Sequence, residues 1–236
     1  MNVSPWLYFS LRNRIQYSRR IVSGEITKLQ QQSNEIYTFD DAYDFANRHI
    51  KSYQIRSEIK DLVSLICEKK PKTYVEIGTA DGGTHYLIRK LCKSITLSVA
   101  IDTDIRNQFL IDRITQTKSS HYILGFSNHR KTIRRINLIF NGTQTLDVLF
   151  IDGDHSYEGV KNDFKHYQSI VRPGGLIIFH DIVEDWKQRF GRQTNKYTGG
   201  VPRFFSEIKD NYEHYSFVED SEQDGFGIGV IVQNSR

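Results

Sequence analysis

The chain has 236 residues, of which 38% are hydrophobic and 25% charged, and only four are proline. This composition is typical of a soluble globular protein, and the length suits one large α/β domain better than two full domains. The formal net charge of +4 comes entirely from residues 1–24, which hold four arginines and no acidic residue. The remaining body is neutral, which argues against nucleic acid as a partner.

Residues 4–22 predict an amphipathic helix, with Ser4 as a candidate N-cap, Pro5 at the first helical position and Gly24 as a stop. One face carries four apolar side chains: Leu7, Leu11, Ile15 and Val22. Such a helix can make peripheral contact with an anionic membrane, although packing on its own domain or in a homodimer is the more ordinary role. We expect an N-terminal helical extension over residues 1–53.

The chain has two cysteines, Cys67 and Cys92, and no run of 18 apolar residues. Both cysteines fall in helical patterns without the spacing of a metal site, so we expect reduced core thiols in a cytoplasmic protein. No transmembrane helix is expected.

From residue 73 onward, apolar runs alternate with helical patterns. Residues 25–38 are polar and predict a connection, and two helices follow, one from Asp40 and one ending before Pro71. Strands are predicted at 74–78, 95–102, 121–126, 146–152 and 176–179, with helices at 82–92, 105–114, 128–140 and 157–171. Repeated strand–helix units require right-handed crossovers and a parallel sheet.

The C-terminal part departs from this alternation. After a predicted helix at 201–210, residues 215–218 and 226–232 flank a polar turn and predict an antiparallel hairpin. Residues 183–200 are long for a loop, and such loops often form lids. Five side chains of this segment either contact a sugar acceptor or belong to a polar connection without a binding role: Trp186, Arg189, Phe190, Arg192 and Tyr197.

The turn after the first strand, VEIGTADGG, allows a ligand to approach the backbone closely at its glycines. The spacing Gly78-x3-Gly82 fits neither a dinucleotide fingerprint nor a P-loop. Glu76 and Asp81 would repel a pyrophosphate but suit a sulfonium and an amino group. Asp102, twenty residues after Gly82, can accept both hydroxyls of a ribose. The pattern predicts a nucleoside ligand with a positive charge and no phosphate.

Two later strands end in ionisable residues: Asp152, Asp154 and His155 after the first, and His180 and Asp181 after the second. The carboxyl ends of parallel strands meet at one edge, where open α/β sheets bind ligands. On the helix between these strands we interpret Lys161, Asp163 and Lys165 as a solvated face.

Five motifs occur in order: VEIGTADGG, VAIDTD, GFSNHRK, LFIDGDHSYEGV and RPGGLIIFHD. Together they resemble a class I S-adenosylmethionine-dependent methyltransferase, of the family 24-like branch that holds cephalosporin-hydroxylase-like and macrolide-sugar O-methyltransferases. The resemblance covers about residues 54–232 and implies a methyltransferase domain over 54–236. It also implies a Rossmann-like α/β fold: seven strands, mostly parallel, an antiparallel last strand, and helices on both faces.

The resemblance also implies roles for individual residues. Glu76, Gly78, Thr79 and Gly82 would line the methionine part of S-adenosylmethionine, Asp102 would hold its ribose, and Ser127 with Asn128 would flank its adenine. Asp152 would bind either the amine of the cofactor or a metal ion.

Methyl transfer to a hydroxyl needs a base, a divalent cation, or both. His155 is the preferred proton acceptor and Asp154 the alternative. Asp152, His180 and Asp181 are the candidate metal ligands, at positions where similar enzymes carry acids or an amide and bind magnesium. His180 departs from that pattern and favours zinc or manganese, which leaves open whether a metal is used.

The predicted function is S-adenosylmethionine-dependent O-methylation of a sugar or glycosylated small molecule. The alternative is a non-catalytic nucleoside-binding or scaffold protein with the same fold. Methylation of a nucleic-acid base would favour an Asn/Asp-Pro-Pro-aromatic turn after the fourth strand, where this chain has IDGD. The glycine spacing disfavours a nicotinamide oxidoreductase.

Overall fold

A seven-stranded sheet forms the centre of the chain. The computed structural model describes residues 5–115, 119–140 and 145–235, with side chains described from residue 13 onwards. The strands are β1 (Thr73–Ile77), β2 (Leu97–Asp102), β3 (Ser119–Leu124), β4 (Leu146–Ile151), β5 (Val171–His180), β6 (His214–Phe217) and β7 (Ile228–Val232). They lie in the order β3-β2-β1-β4-β5-β7-β6. The first five are parallel, and β7 is antiparallel to both β5 and β6.

Helices cover both faces of this sheet. Those in the described residues are α1 (Pro5–Val22), α2 (Glu25–Asn34), α3 (Phe39–His49), α4 (Arg56–Glu68), α5 (Gly83–Leu91), α6 (Gln108–Thr115), α7 (Arg130–Ile139), α8 (Tyr157–Tyr167), α9 (Trp186–Phe190) and α10 (Val201–Ile208). One face packs against α2 to α6, and the other packs against α7, α8 and α10. The predicted Rossmann-like α/β architecture is confirmed.

The N-terminal helices are attached to the sheet-bearing part of the chain. Residues 25–34 form α2 and not the predicted connection, because Ile26, Leu29 and Ser33 recur at helical spacing and are buried. The hydroxyl of Ser33 donates to the carbonyl of Ile114 (3.0 Å), and the amide of Asn13 donates to that of Ile105 (2.7 Å). The domain division at residue 54 stays a prediction.

Helix α1 has the predicted span, although Ser4 and the side chains of Leu7 and Leu11 lie outside the described residues. The other two members of the predicted apolar face, Ile15 and Val22, are 47% and 89% exposed. Membrane contact and a homodimer through α1 stay predictions. Among the described residues, no helix is both long enough and apolar enough to span a bilayer.

The two cysteines are bonded to each other. Cys67 at the end of α4 and Cys92 after α5 form a disulfide with their Cα atoms 4.9 Å apart. The prediction of reduced thiols is wrong because α4 and α5 pack on the same face of the sheet, which brings their C-terminal ends together. The positions of the two cysteines within separate helical patterns do not show that contact.

We expect reduction of this disulfide to lower the free energy of unfolding. The bond closes a segment of 25 residues, and loss of that constraint on the unfolded chain costs about 3 kcal/mol. Urea unfolding with and without dithiothreitol measures the change, with the Cys67→Ser/Cys92→Ser double variant as control. Superimposable curves for the wild-type protein under both conditions would contradict the bond.

Candidate active site

One cavity lies at the carboxyl ends of β1, β2, β4 and β5. Strand order reverses between β1 and β4, and this switch point is where open α/β sheets bind ligands. The cavity has a volume of about 580 Å³, which suits a small molecule. Of the predicted site residues, these line it: Gly78, Asp102, Ser127, Asp152, Asp154, His155, His180 and Asp181. We call this space the central cavity.

Gly78 brings the first turn against the end of β4. Its φ is +85°, and a Cβ atom on Gly78 would lie 1.8 Å from the carbonyl oxygen of Asp152. Its backbone N–H donates to the carbonyl of Ile101 (2.9 Å). Only glycine can therefore occupy this position without moving the backbone of β4.

Asp102 is fixed where β2 reaches the cavity. One carboxylate oxygen accepts the N–H of Ala80 (2.7 Å), and the other accepts that of Asp104 (2.9 Å). A carboxylate oxygen has two lone pairs, so the first oxygen keeps accepting capacity. The second also accepts the Thr103 hydroxyl (3.3 Å), a rotatable donor that a ligand hydroxyl could replace. The group can accept from vicinal hydroxyls while the protein holds it in place.

Four predicted cofactor-binding residues do not line the cavity: Glu76, Thr79, Gly82 and Asn128. Glu76 points from β1 into the core beneath it, where its carboxyl group contacts the hydroxyl of Tyr74 (2.9 Å) and Nδ1 of His85 (2.7 Å). Burial raises the pKa of Glu76 well above its usual value and lowers the pKa of His85 well below its own. Both shifts favour a neutral pair in which the protonated Glu76 donates to His85.

The other three of these residues have different surroundings. Gly82 precedes α5 with a φ of +91°, and a Cβ atom there would lie 2.2 Å from Cδ1 of Ile111, so it serves packing against α6. Thr79 is buried and Asn128 is exposed. Their predicted cofactor contacts stay predictions.

Two carboxylates and two imidazoles meet at the ends of β4 and β5. Oδ1 of Asp152 lies 3.3 Å from Nε2 of His155 and 3.2 Å from Nδ1 of His180. Asp181 lies 3.2 Å from Nδ1 of His155 and 3.4 Å from Nδ1 of His180. Asp181 has a φ of +64°, uncommon for a non-glycine residue, and accepts the N–H of Phe226 (3.1 Å). We call these four residues the acid–imidazole cluster.

Opposite charges stabilise one another within this cluster. Burial alone would raise the pKa of Asp152, but the imidazoles of His180 and His155 outweigh it and lower the pKa to about 2. Burial alone would lower the pKa of His155, but Asp152 and Asp181 outweigh it and raise the pKa to about 9. The same carboxylates raise the pKa of His180 well above its usual value. The carboxylates therefore favour the protonated form of both imidazoles.

The cluster also contains a set of potential metal ligands. Asp152, His155 and Asp181 each offer one ligand atom, and these atoms lie within 4.8 Å of one another. The sequence-based set had His180 in place of His155. Among the described residues neither ring nitrogen of His180 makes a hydrogen bond, although the ring is 5% exposed. A ring nitrogen of His180 could bind an ion only after the ring loses the proton that the two carboxylates favour.

The two candidate bases differ in their surroundings. His155 points into the cluster, and its Nδ1 lies 2.9 Å from the carbonyl oxygen of Tyr197. Asp154 is exposed, and one of its oxygens accepts the N–H of Ser156 (2.9 Å) just before α8. Both residues line the central cavity.

The prediction of a solvated position for Asp163 is wrong. The residue was predicted on a solvated face, but it is 1% exposed and accepts the hydroxyl of Ser127 at 2.5 Å. Tyr167, one turn later, donates to the carbonyl of Ser127 (2.8 Å). Burial raises the pKa of Asp163 to about 6, although the Ser127 hydroxyl opposes the shift. Its spacing from Val160 and Tyr167 on the buried helix stripe was the signal that could have located it.

The predicted lid segment, residues 183–200, has backbone hydrogen bonds near both of its ends. It contains the short helix α9, and the carboxylate of Asp185 accepts the N–H of Gln188 (3.0 Å) and of Thr198 (3.3 Å). Trp186 donates to the carbonyl of Glu222 (3.0 Å), outside the cavity. Tyr197 is the one predicted sugar contact from this segment that lines the cavity, together with Lys196.

Comparison with known proteins agrees with this geometry. Residues 75–182 match the model of a family described as a methyltransferase domain, and they include the end of β1, all of β2 to β5 and every residue of the acid–imidazole cluster. Residues 75–182 are a methyltransferase domain. The predicted methyltransferase is thereby confirmed, and the methyltransferase domain carries the central cavity.

Relatives of this methyltransferase are distant. An uncharacterized protein, R132, from Acanthamoeba polyphaga mimivirus is 28% identical over 158 residues, which cover 64% of this chain and 70% of that protein. The O-methyltransferase from Bacillus cereus, solved in complex with SAH, is 18% identical with a TM-score of 0.60, covering 86% of this chain and 96% of that one. The O-methyltransferase TomG from Streptomyces achromogenes, solved with SAM, is 15% identical with a TM-score of 0.57, covering 86% and 94%. At these identities, the solved structures support the fold of the methyltransferase.

Proposed function

We propose that the protein is an S-adenosylmethionine-dependent O-methyltransferase that methylates a hydroxyl of a sugar or a glycosylated small molecule. One observation carries the proposal: a nucleoside-sized recess and the acid–imidazole cluster share the central cavity. Gly78, Asp102 and Ser127 line the first part, and the cluster forms the second. Asp152 lies where the two parts meet.

The recess fits this cofactor. The missing side chain at Gly78 leaves its backbone accessible, and the carboxylate of Asp102 can accept both ribose hydroxyls. Lys196 is the only lysine or arginine that lines the described part of the cavity, and no phosphate-binding cluster of cations accompanies it. S-adenosylmethionine carries no phosphate and, when bound, supplies a methyl group on a positively charged sulfur. The similar Bacillus and Streptomyces enzymes were solved with SAH and SAM.

The acid–imidazole cluster would prepare the acceptor. These residues must hold a hydroxyl at attack distance and take its proton. We assign the proton to His155, whose Nδ1–H is held by the Tyr197 carbonyl. Because Asp152 favours the protonated ring, Nε2 must first release its own proton before it can accept one from the hydroxyl. Asp154 is the alternative base. His155 would then hold and move the proton at Nε2.

We assign a divalent cation to Asp152, His180 and Asp181. The two aspartates supply oxygen ligands, and His180 supplies a buried ring nitrogen that makes no hydrogen bond within the described residues. Mixed nitrogen and oxygen donors suit manganese or zinc better than magnesium. A cation held there would lower the pKa of the acceptor hydroxyl.

Aromatic side chains favour a sugar as the acceptor. Tyr53, Phe126 and Tyr197 line the mouth of the cavity and are 45%, 61% and 68% exposed. Aromatic rings can stack on the apolar face of a sugar, and the hydroxyls of the two tyrosines can stay in water.

A methyl-transfer assay tests this proposal. We expect label from methyl-labelled S-adenosylmethionine to appear in an O-methyl group of at least one acceptor in a panel of sugars and glycosides. Chelation should lower the rate by at least about tenfold, and manganese should restore it. Activity that survives thorough chelation would remove the cation from the proposal. Cofactor binding without transfer to any acceptor would favour the non-catalytic alternative.

A further inference from the structure

Two side chains of helix α8 form hydrogen bonds with Ser127. Asp163 and Tyr167 lie one turn apart on this helix and both contact Ser127, the first through the hydroxyl (2.5 Å) and the second through the carbonyl (2.8 Å). Among the described residues, Oδ2 of Asp163 is buried and makes no hydrogen bond. Packing alone does not explain Asp163, since a buried carboxylate with only one of its oxygens hydrogen-bonded among the described residues is costly.

The direction of the Ser127–Asp163 hydrogen bond determines what Ser127 can offer to a ligand. An ionised carboxylate can only accept, so the hydroxyl of Ser127 must be the donor. Its single hydrogen is thereby committed to Asp163, and its oxygen can offer only lone pairs to the cavity that Ser127 lines. A ligand group at this point must therefore be a hydrogen-bond donor.

We propose that Asp163 is a positioning residue that makes Ser127 an obligate acceptor and thereby selects a purine with a 6-amino group over one with a 6-oxo group. This inference rests on the proposed cofactor, whose adenine would lie at Ser127. The amino group of adenine donates to Ser127, whereas the carbonyl of hypoxanthine would face a lone pair. A buried polar group that faces the wrong partner discriminates strongly between ligands.

Calorimetric titration with S-adenosylhomocysteine and S-inosylhomocysteine tests the inference. At about pH 8, where Asp163 is ionised, we expect wild-type protein to prefer the adenosyl ligand by at least about tenfold. In Asp163→Leu the acceptor is gone, so the hydroxyl hydrogen of Ser127 is free to turn toward the cavity. We expect the preference of that variant to fall to within about threefold.

Two further variants separate this role from a structural one. Tyr167→Phe removes the contact to the Ser127 carbonyl, and we expect it to weaken both ligands equally and keep the preference. Ser127→Ala removes the acceptor itself, so it should lose the preference even if Asp163→Leu fails to fold. Wild-type selectivity retained in Asp163→Leu or in Ser127→Ala would overturn the inference. Failure of the wild-type protein to bind S-adenosylhomocysteine would overturn the proposed function and the inference with it.

The selectivity should also depend on pH. Burial holds the pKa of Asp163 at about 6, and the other charged groups that act on it are Asp154 and His166. Below that pKa the protonated carboxyl group can itself donate to Ser127 and free the serine hydrogen. The adenosyl preference should therefore be complete above about pH 7 and decline toward about pH 5, while the selectivity of Asp163→Leu stays constant. A wild-type preference that is independent of pH would contradict the role of Asp163.

Discussion

Replacement of Asp152 by asparagine is expected to lower kcat by about 10³-fold, because it removes the charge on which both imidazoles depend. Asp152 contacts His155 and His180 through the same oxygen and lies between the two parts of the cavity. Asparagine has the same shape, so the fold should persist. Initial rates of methyl transfer measure the effect, and thermal unfolding checks the fold.

Asp154→Asn is the matched control for this variant. It removes a carboxylate two residues away, from an exposed position outside the acid–imidazole cluster. With His155 as the base we expect it to lower kcat by no more than about threefold, and we expect His155→Ala to lower kcat by at least about 10²-fold. If Asp154→Asn lowers kcat more than His155→Ala does, Asp154 is the base. Near-wild-type activity of Asp152→Asn would contradict the assigned centre of the site.

Replacement of Gly78 by alanine is expected to lower the free energy of unfolding by more than about 3 kcal/mol and to abolish cofactor binding. The added Cβ would lie 1.8 Å from the Asp152 carbonyl oxygen and 2.8 Å from the Gly153 nitrogen. Both contacts are with backbone, so relief requires β1 and β4 to move apart. Urea unfolding and titration with S-adenosylhomocysteine measure the two effects.

Gly191→Ala separates this clash from the cost of the backbone conformation. Gly191 also has a positive φ, +65°, but nothing lies within 4 Å of where its Cβ would be. We expect this control to cost only about 1 kcal/mol, the usual penalty of a left-handed conformation for alanine. Equal destabilisation by the two substitutions would show that the close approach of Gly78 to Asp152 does not matter.

The sheet could be predicted from the sequence because each buried strand is a short apolar run that ends in a polar or glycine-containing turn. Val148 to Ile151 and Leu176 to Phe179 are such runs, and the structure pairs them in register. Helix α2 was missed because only Ile26, Leu29 and Ser33 are buried, and the rest of its surface is polar. The Cys67–Cys92 contact depends on how α4 and α5 pack, which no local pattern contains.

The site was predictable to the extent that strand ends determine it. His155 and Asp181 meet at 3.2 Å because β4 and β5 are neighbours, as the strand–helix alternation implied. Glu76 belongs to the same motif as Gly78, but its side chain is buried and contacts His85 in the core. Side-chain direction and the tertiary contact of Asp163 with Ser127 require coordinates.

The most direct test of the central claim is a calorimetric titration of the purified protein with S-adenosylhomocysteine. We predict one site per chain, with a thermal midpoint that rises with ligand concentration, because a ligand that binds only the folded state must stabilise it. Asp102→Ala should weaken this binding by at least about tenfold, since it removes the acceptor for both ribose hydroxyls. Neither heat nor thermal stabilisation with the wild-type protein would contradict the assignment of the central cavity to this cofactor.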